Sequence, residues 1–156
     1  GVRTGWALST GRERIESGVQ TFDLKRGESP GMRYVRFNRW LLELLPFRPA
    51  KTREDKLTDD ALLVYEQAHH RGGAATEVHL GLTTRVQEFC ARRGYEHAAV
   101  HSARLKKWVT GKGNADKDMM QAITAERWPI GREFLSDDES DAVALLAYAL
   151  AELVGV

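Results

Sequence analysis

The sequence predicts a mixed α/β domain, on three observations. Short apolar segments with partial alternation open the chain, amphipathic stretches at helical spacing alternate with apolar runs through its middle, and a strongly apolar helix closes it. A chain of 156 residues, 42% hydrophobic and 29% charged, can bury a core of its own, so residues 1–156 are read as a single domain. There is no internal repeat and no low-complexity tract.

Residues 5–8 and 14–22 read as two strands joined by a turn through Ser9-Thr10-Gly11, with Ile15, Val19 and Phe22 in partial alternation. Ser29-Pro30-Gly31 breaks the chain. Tyr34, Val35, Phe37, Trp40, Leu41, Leu44 and Leu45 then recur at helical spacing as far as Pro46, with arginines on the wet side. After a polar stretch, Ala61-Leu62-Leu63-Val64-Tyr65 is a nearly continuous apolar run that ends in Glu66, the pattern of a strand buried on both faces. Gly72-Gly73 precedes a helix over 74–93 that Gly94 stops. Residues 95–101 form a further strand, and Ser102 is placed to cap a short basic helix through Val109. Gly111-Lys112-Gly113 is a loop, a helix from 114 or 115 ends at Pro129, and the last helix runs from about 138 to 153.

Composition removes several classes. The longest apolar run, 142–151, is bracketed by Asp141 and Glu152 and falls short of the ~20 residues a membrane span needs, so no membrane partner is expected. The N-terminus lacks the pattern of a signal peptide. One cysteine, Cys90, allows neither an internal disulfide nor a cysteine-rich zinc site, and points to a reducing compartment. Lys and Arg number 23 against 22 Asp and Glu, and their distribution says more than the balance. Residues 33–53 carry Arg33, Arg36, Arg39, Arg48, Lys51 and Arg53 against Glu43, while 104–117 carry Arg104, Lys106, Lys107, Lys112 and Lys117 against Asp116. The carboxylates concentrate in Asp137-Asp138-Glu139-Ser140-Asp141. Basic surfaces beside an acidic cluster suit a protein that grips phosphates and holds a divalent cation.

Asp138 and Asp141, spaced i, i+3 at the start of the last helix, project on one face, which Leu145 continues. Capping and dipole complementation account for such residues on their own. Glu66 shifts the balance, because a carboxylate closing an apolar strand has few structural uses. Hard oxygen ligands from separate elements are what Mg2+ requires, and two cations about 3.5–4 Å apart serve phosphodiester hydrolysis. Met119 and Met120 read as core or interface residues, Cys90 as buried and inert. Trp40, Trp108 and Trp128 read as anchors, with Trp108 also placed to stack on a base beside Lys106 and Lys107. His79, His97 and His101 lack ligand spacing.

Five stretches, Gly1-Val2-Arg3-Thr4-Gly5-Trp6-Ala7, Val64-Tyr65-Glu66-Gln67, Ala103-Arg104-Leu105-Lys106, Thr110-Gly111-Lys112-Gly113-Asn114-Ala115-Asp116-Lys117 and Asp138-Glu139-Ser140-Asp141-Ala142, together resemble the ordered motifs of RuvC-type Holliday junction resolvases. The resemblance spans nearly the whole chain. It implies an RNase H-like fold, a central mixed sheet flanked by helices, acting as a homodimer on four-way DNA junctions with Mg2+ or Mn2+. It makes Glu66, Asp138 and Asp141 catalytic metal ligands, and Lys106 and Lys117 basic residues at the DNA. Arg104, Lys107 and Lys112 extend that DNA-binding surface, and His69 and His70 stand where an aromatic wedge is expected. A cytoplasmic setting in a bacterial or phage-infected cell is implied. The family's first ligand, an aspartate on the first strand, would fall ahead of Gly1, so this chain is expected to bind metal poorly and to cut slowly or not at all. Three other readings stay open: a non-catalytic junction-binding module, an RNase H-like nuclease on hybrid or other branched substrates, and, as a remote case, an actin-like nucleotide-binding protein.

Overall fold

In the computed structural model, residues 2–10, 15–45, 61–67 and 72–154 are described. They fall into two compact units, a terminal unit of residues 1–21 with 100–156 and a middle unit of residues 22–99.

The terminal unit begins with β1 (Arg3–Ser9) and β2 (Ile15–Thr21), which pair antiparallel along their whole length from Arg3↔Thr21 to Ser9↔Ile15. Its helices are α3 (Ser102–Thr110), α4 (Lys117–Arg127) and α5 (Asp137–Tyr148), the last continued by a π-helical turn, Ala149–Leu153. Helix α5 packs on β1 and β2 and also on α3 and α4. The core is built from Leu105 and Val109 of α3, Met120 of α4, and Val143 and Ala144 of α5. Thr124, fully buried on α4, satisfies its hydroxyl by donating to the Met120 carbonyl at 2.7 Å. At one end Trp108 stacks on Trp128 (5.3 Å, 5°), Tyr148 meets it edge-on, and the Arg127 guanidinium lies 4.4 Å from the Trp128 ring centre. Met119 is exposed, so of the two methionines only Met120 is core.

In the middle unit, α1 (Met32–Leu44) follows Pro30 and buries Phe37 and Leu41, one turn apart. Phe22 packs edge-on against Phe37 at 5.2 Å and Trp40 at 5.5 Å. Helix α2 (Ala74–Arg93) ends at Gly94, whose φ of 71° is the left-handed conformation that glycine adopts without a Cβ penalty. Gly81 of α2 faces Tyr34 of α1, and Arg93 donates to the Leu45 carbonyl at 2.8 Å, tying the two helix ends together. β3 (Leu62–Glu66) pairs with β4 (Glu96–Val100), the Glu96 amide donating to the Ala61 carbonyl. The α/β class is therefore as expected, but the described strands form two separate two-stranded sheets instead of one central mixed sheet. β3 is also half-buried throughout, where burial on both faces was expected.

Candidate nucleic-acid and metal site

The first turn of α5 carries three consecutive carboxylates, Asp137, Asp138 and Glu139, at the positive end of the helix dipole. Its rotation separates their roles. Asp138 and Asp141 are partly exposed, whereas Glu139 and Ser140 are fully buried. The helix lies so close to β1 that a Cβ on Gly5 would stand 1.9 Å from the Asp138 carbonyl oxygen. Gly5 is thus a strand residue, paired with Val19, whose missing side chain admits the helix.

Glu139 is the residue that sequence reading left unassigned. Arg132 forks onto it, Nη1 donating to Oε1 at 2.9 Å and Nη2 to Oε2 at 2.6 Å. The Ser17 hydroxyl of β2 donates to Oε2 at 3.0 Å and the Leu135 amide to Oε1 at 2.7 Å. Arg132 also reaches the Ser17 and Glu133 carbonyls. The Arg132 fork, aided by the Leu135 amide and the Ser17 hydroxyl, outweighs desolvation and holds the Glu139 carboxyl at about 2. One signal was available: Glu139 stands one turn before Val143, which is 1% exposed, so helical spacing puts it on the apolar face.

Lys117, the first residue of α4, pairs with Asp137 at 3.3 Å while its side chain stays 85% exposed, which sets an ammonium beside the start of α5. Asp116 before it caps α4 by accepting from the Met119 amide at 2.8 Å. On α3, Lys106 is half-buried, while Arg104 and Lys107 are exposed and line a shallow cavity of about 520 Å³ with Tyr148 and Glu152. Lys112 is exposed in the loop after Gly111. Trp108 is half-buried and lines the same cavity. Trp128 covers one side of the Trp108 ring, and the Trp108 indole N–H donates to Glu152 at 3.1 Å. The expected Ser102 cap of α3 is made instead by His101, whose Nδ1 accepts from the Ala103 amide.

In the middle unit Glu66 closes β3 half-buried, and its backbone carbonyl is held by His79 Nε2 of α2 at 2.9 Å. Its neighbour Tyr65 accepts from Gln87 and stacks on His97. His69 and His70 lie outside the described residues, as do Arg48, Lys51 and Arg53. Two of the arginines expected on a wet face are used locally: Arg33 donates to the Phe22 carbonyl, and Arg36 pairs with Glu28 and donates to the Asp23 carbonyl. Cys90 is fully buried, and burial raises its thiol pKa.

Among the described residues no group of three or more His, Cys, Asp or Glu side chains is placed to hold a metal ion. Asp138 and Asp141 come together on one helix, and Glu66 belongs to the other unit. The donor chemistry of the aspartate pair fits a hard divalent cation: two carboxylates spaced i, i+3 at the start of one helix, both open in part to solvent.

The chain is similar to the Thermus thermophilus RuvC structure, with a TM-score of 0.62 and 17% identity over 94% of this chain and 87% of that one. It is similar also to T. thermophilus RuvC in complex with Holliday junction substrate, with a TM-score of 0.65 and 18% identity over 97% of this chain and 87% of that one. No protein-family model and no curated protein matches the chain. At such identities the likeness shows a RuvC-like α/β fold. No described helix is long and apolar enough to cross a membrane.

Proposed function

We propose that this chain is a structure-selective DNA endonuclease with an RNase H-like fold that resolves four-way junctions by divalent-metal-dependent phosphodiester hydrolysis. The observation that carries the reading is the part-exposed Asp138 and Asp141 pair beside the exposed Lys117, on a fold similar to RuvC bound to a Holliday junction. In this reading residues 1–156 act as one nuclease domain. Asp138, Asp141 and Glu66 are the acidic residues that hold Mg2+ or Mn2+. When bound, the cation supplies Lewis acidity toward the scissile phosphodiester. Lys117 neutralises phosphate charge next to that cation. Lys106, Lys107, Lys112 and Arg104 grip the DNA backbone, and His69 and His70 stack at the junction centre. A homodimer matches the two-fold symmetry of a four-way junction and accounts for paired nicks. The setting is the cytoplasm of a bacterial cell.

A second reading is a junction-binding module without cleavage. It is favoured by the finding that, among the described residues, no group of three or more acidic, histidine or cysteine side chains is placed to hold a metal ion. Both readings require preference for branched DNA. Binding of a labelled four-way junction and of a linear duplex of the same sequence, measured without metal from 50 to 200 mM salt, tests them together. Five phosphate-contacting cations per protomer, ten in the dimer, predict a log–log salt slope of about −9, with the junction bound at least tenfold more tightly. Equal affinity for the two DNAs overturns both. Paired nicks on adding Mg2+ or Mn2+ select the nuclease, and binding without nicks selects the module.

A further inference from the structure

We infer that Arg132, Glu139 and Ser17 form a positioning clamp that fixes the rotation of the first turn of α5, and with it the directions of Asp138 and Asp141. The role in metal binding rests on the nuclease reading, and the geometry does not.

Glu139 stands between the two aspartates, one residue after Asp138 and two before Asp141. Its side chain is wholly buried, and both oxygens are filled, Oε1 by Arg132 and the Leu135 amide, Oε2 by Arg132 and the Ser17 hydroxyl. The partners come from β2 and from the stretch before α5, so one carboxylate joins both segments to α5. Arg132 closes the set by donating to the Ser17 carbonyl at 3.3 Å. A buried charge at this position is costly, and an apolar residue would pack against the same core without that cost. What a forked ion pair adds is direction, because planar guanidinium and carboxylate groups accept one relative orientation. Gly5 supplies the second restraint, since its contact with the Asp138 carbonyl sets the distance between α5 and β1. Distance and rotation are thus fixed by different residues.

The precision required is high. Side-chain tips lie about 5–6 Å from a helix axis, so a turn of about 5° moves a carboxylate by about 0.5 Å. That is about the tolerance of a metal site. The clamp acts through the aspartates, so Arg132, Glu139 and Ser17 are positioning residues.

Three variants of the full chain test this: Arg132→Met, Arg132→Lys, and Thr124→Val as a control. Thr124→Val removes a buried hydroxyl contact of the same unit on α4. Amide hydrogen exchange at residues 138–141 and direct Mn2+ titration followed by electron paramagnetic resonance are the readouts. Arg132→Met is expected to speed exchange there at least tenfold and to weaken Mn2+ about tenfold to a hundredfold. Arg132→Lys keeps the charge but loses the fork, and is expected to lie between Arg132→Met and the parent. Thr124→Val is expected to leave both readouts near the parent values. Exchange in both Arg132 variants equal to that in Thr124→Val overturns the clamp. If exchange responds and Mn2+ affinity does not, the clamp stands as a rotational restraint and its link to metal is overturned. A parent chain that holds no Mn2+ overturns the nuclease reading instead, and exchange alone then decides the clamp.

Discussion

Among the described residues, each unit contains a glycine whose added Cβ would fall well under 3.0 Å from its neighbour and an Arg–Glu pair, and they differ in what gives way. In the terminal unit Gly5 faces the backbone of Asp138, and Glu139 sits sealed under Arg132. In the middle unit Gly81 faces the ring of Tyr34, a side chain that can swing, and Glu28 meets Arg36 with both partners partly wet. The two ion pairs have nearly the same length, 2.6 and 2.5 Å. Length therefore does not report their worth. Burial and additional donors do: Glu139 also accepts from an amide and a hydroxyl across the fold, while Glu28 accepts in addition only from the nearby Lys25 amide. The rigid contacts belong to the unit that carries the aspartate pair, where precision matters for a metal site.

The contrast can be broken in several ways. Gly5→Ala has the largest expected effect, a loss of about 3 kcal/mol of stability by urea denaturation, because the new Cβ meets backbone that cannot rotate away. A change near zero would mean that α5 slides freely on β1. Glu139→Gln is expected to cost about 2 kcal/mol, since one oxygen becomes a donor facing donors. The same residue predicts acid sensitivity. Its folded pKa of about 2 lies below the ordinary 4.5, so its stabilisation is complete above the ordinary range and is lost as the pH falls from 4.5 toward 2. Parent and Glu139→Gln stabilities should converge over that interval in acid denaturation. Glu28 is also lowered by its arginine and shifts stability in the same sense. Gly81→Ala is expected to change stability by less than about 1 kcal/mol, because displacement of Tyr34 is offset by the better helix propensity of alanine. Trp108→Phe is the smallest, about 0.5 kcal/mol, from the lost bond to Glu152 while ring stacking persists.

The helices and strands were largely legible because their signals are local. The spacing of Phe37 and Leu41, the stop at Gly94 and the breaks at Pro30 and Pro129 each act within a few residues. The functional placement was less so. Asp138 and Asp141 do share a partly open face, as i, i+3 spacing requires. What holds that face is a bond between Ser17 and Glu139, 122 residues apart, which no local pattern announces. The stacking of Trp108 on Trp128 is likewise not announced locally, since Trp128 lies on the far side of α4 in sequence. His101 displaced Ser102 as a cap because an imidazole Nδ1 serves as an acceptor as well as a hydroxyl does. Glu66 and the aspartates are legible as candidates, but they fall in different units, so sequence spacing was silent on their juxtaposition.

Cleavage of a four-way junction by the parent chain and by Asp141→Asn, with junction binding measured in parallel, tests the central claim most directly. The account predicts slow, paired, Mn2+-dependent nicks in the parent, their loss in Asp141→Asn, and junction affinity within a few-fold of the parent in the variant. Nicking retained by Asp141→Asn would contradict it and move the reaction away from the start of α5.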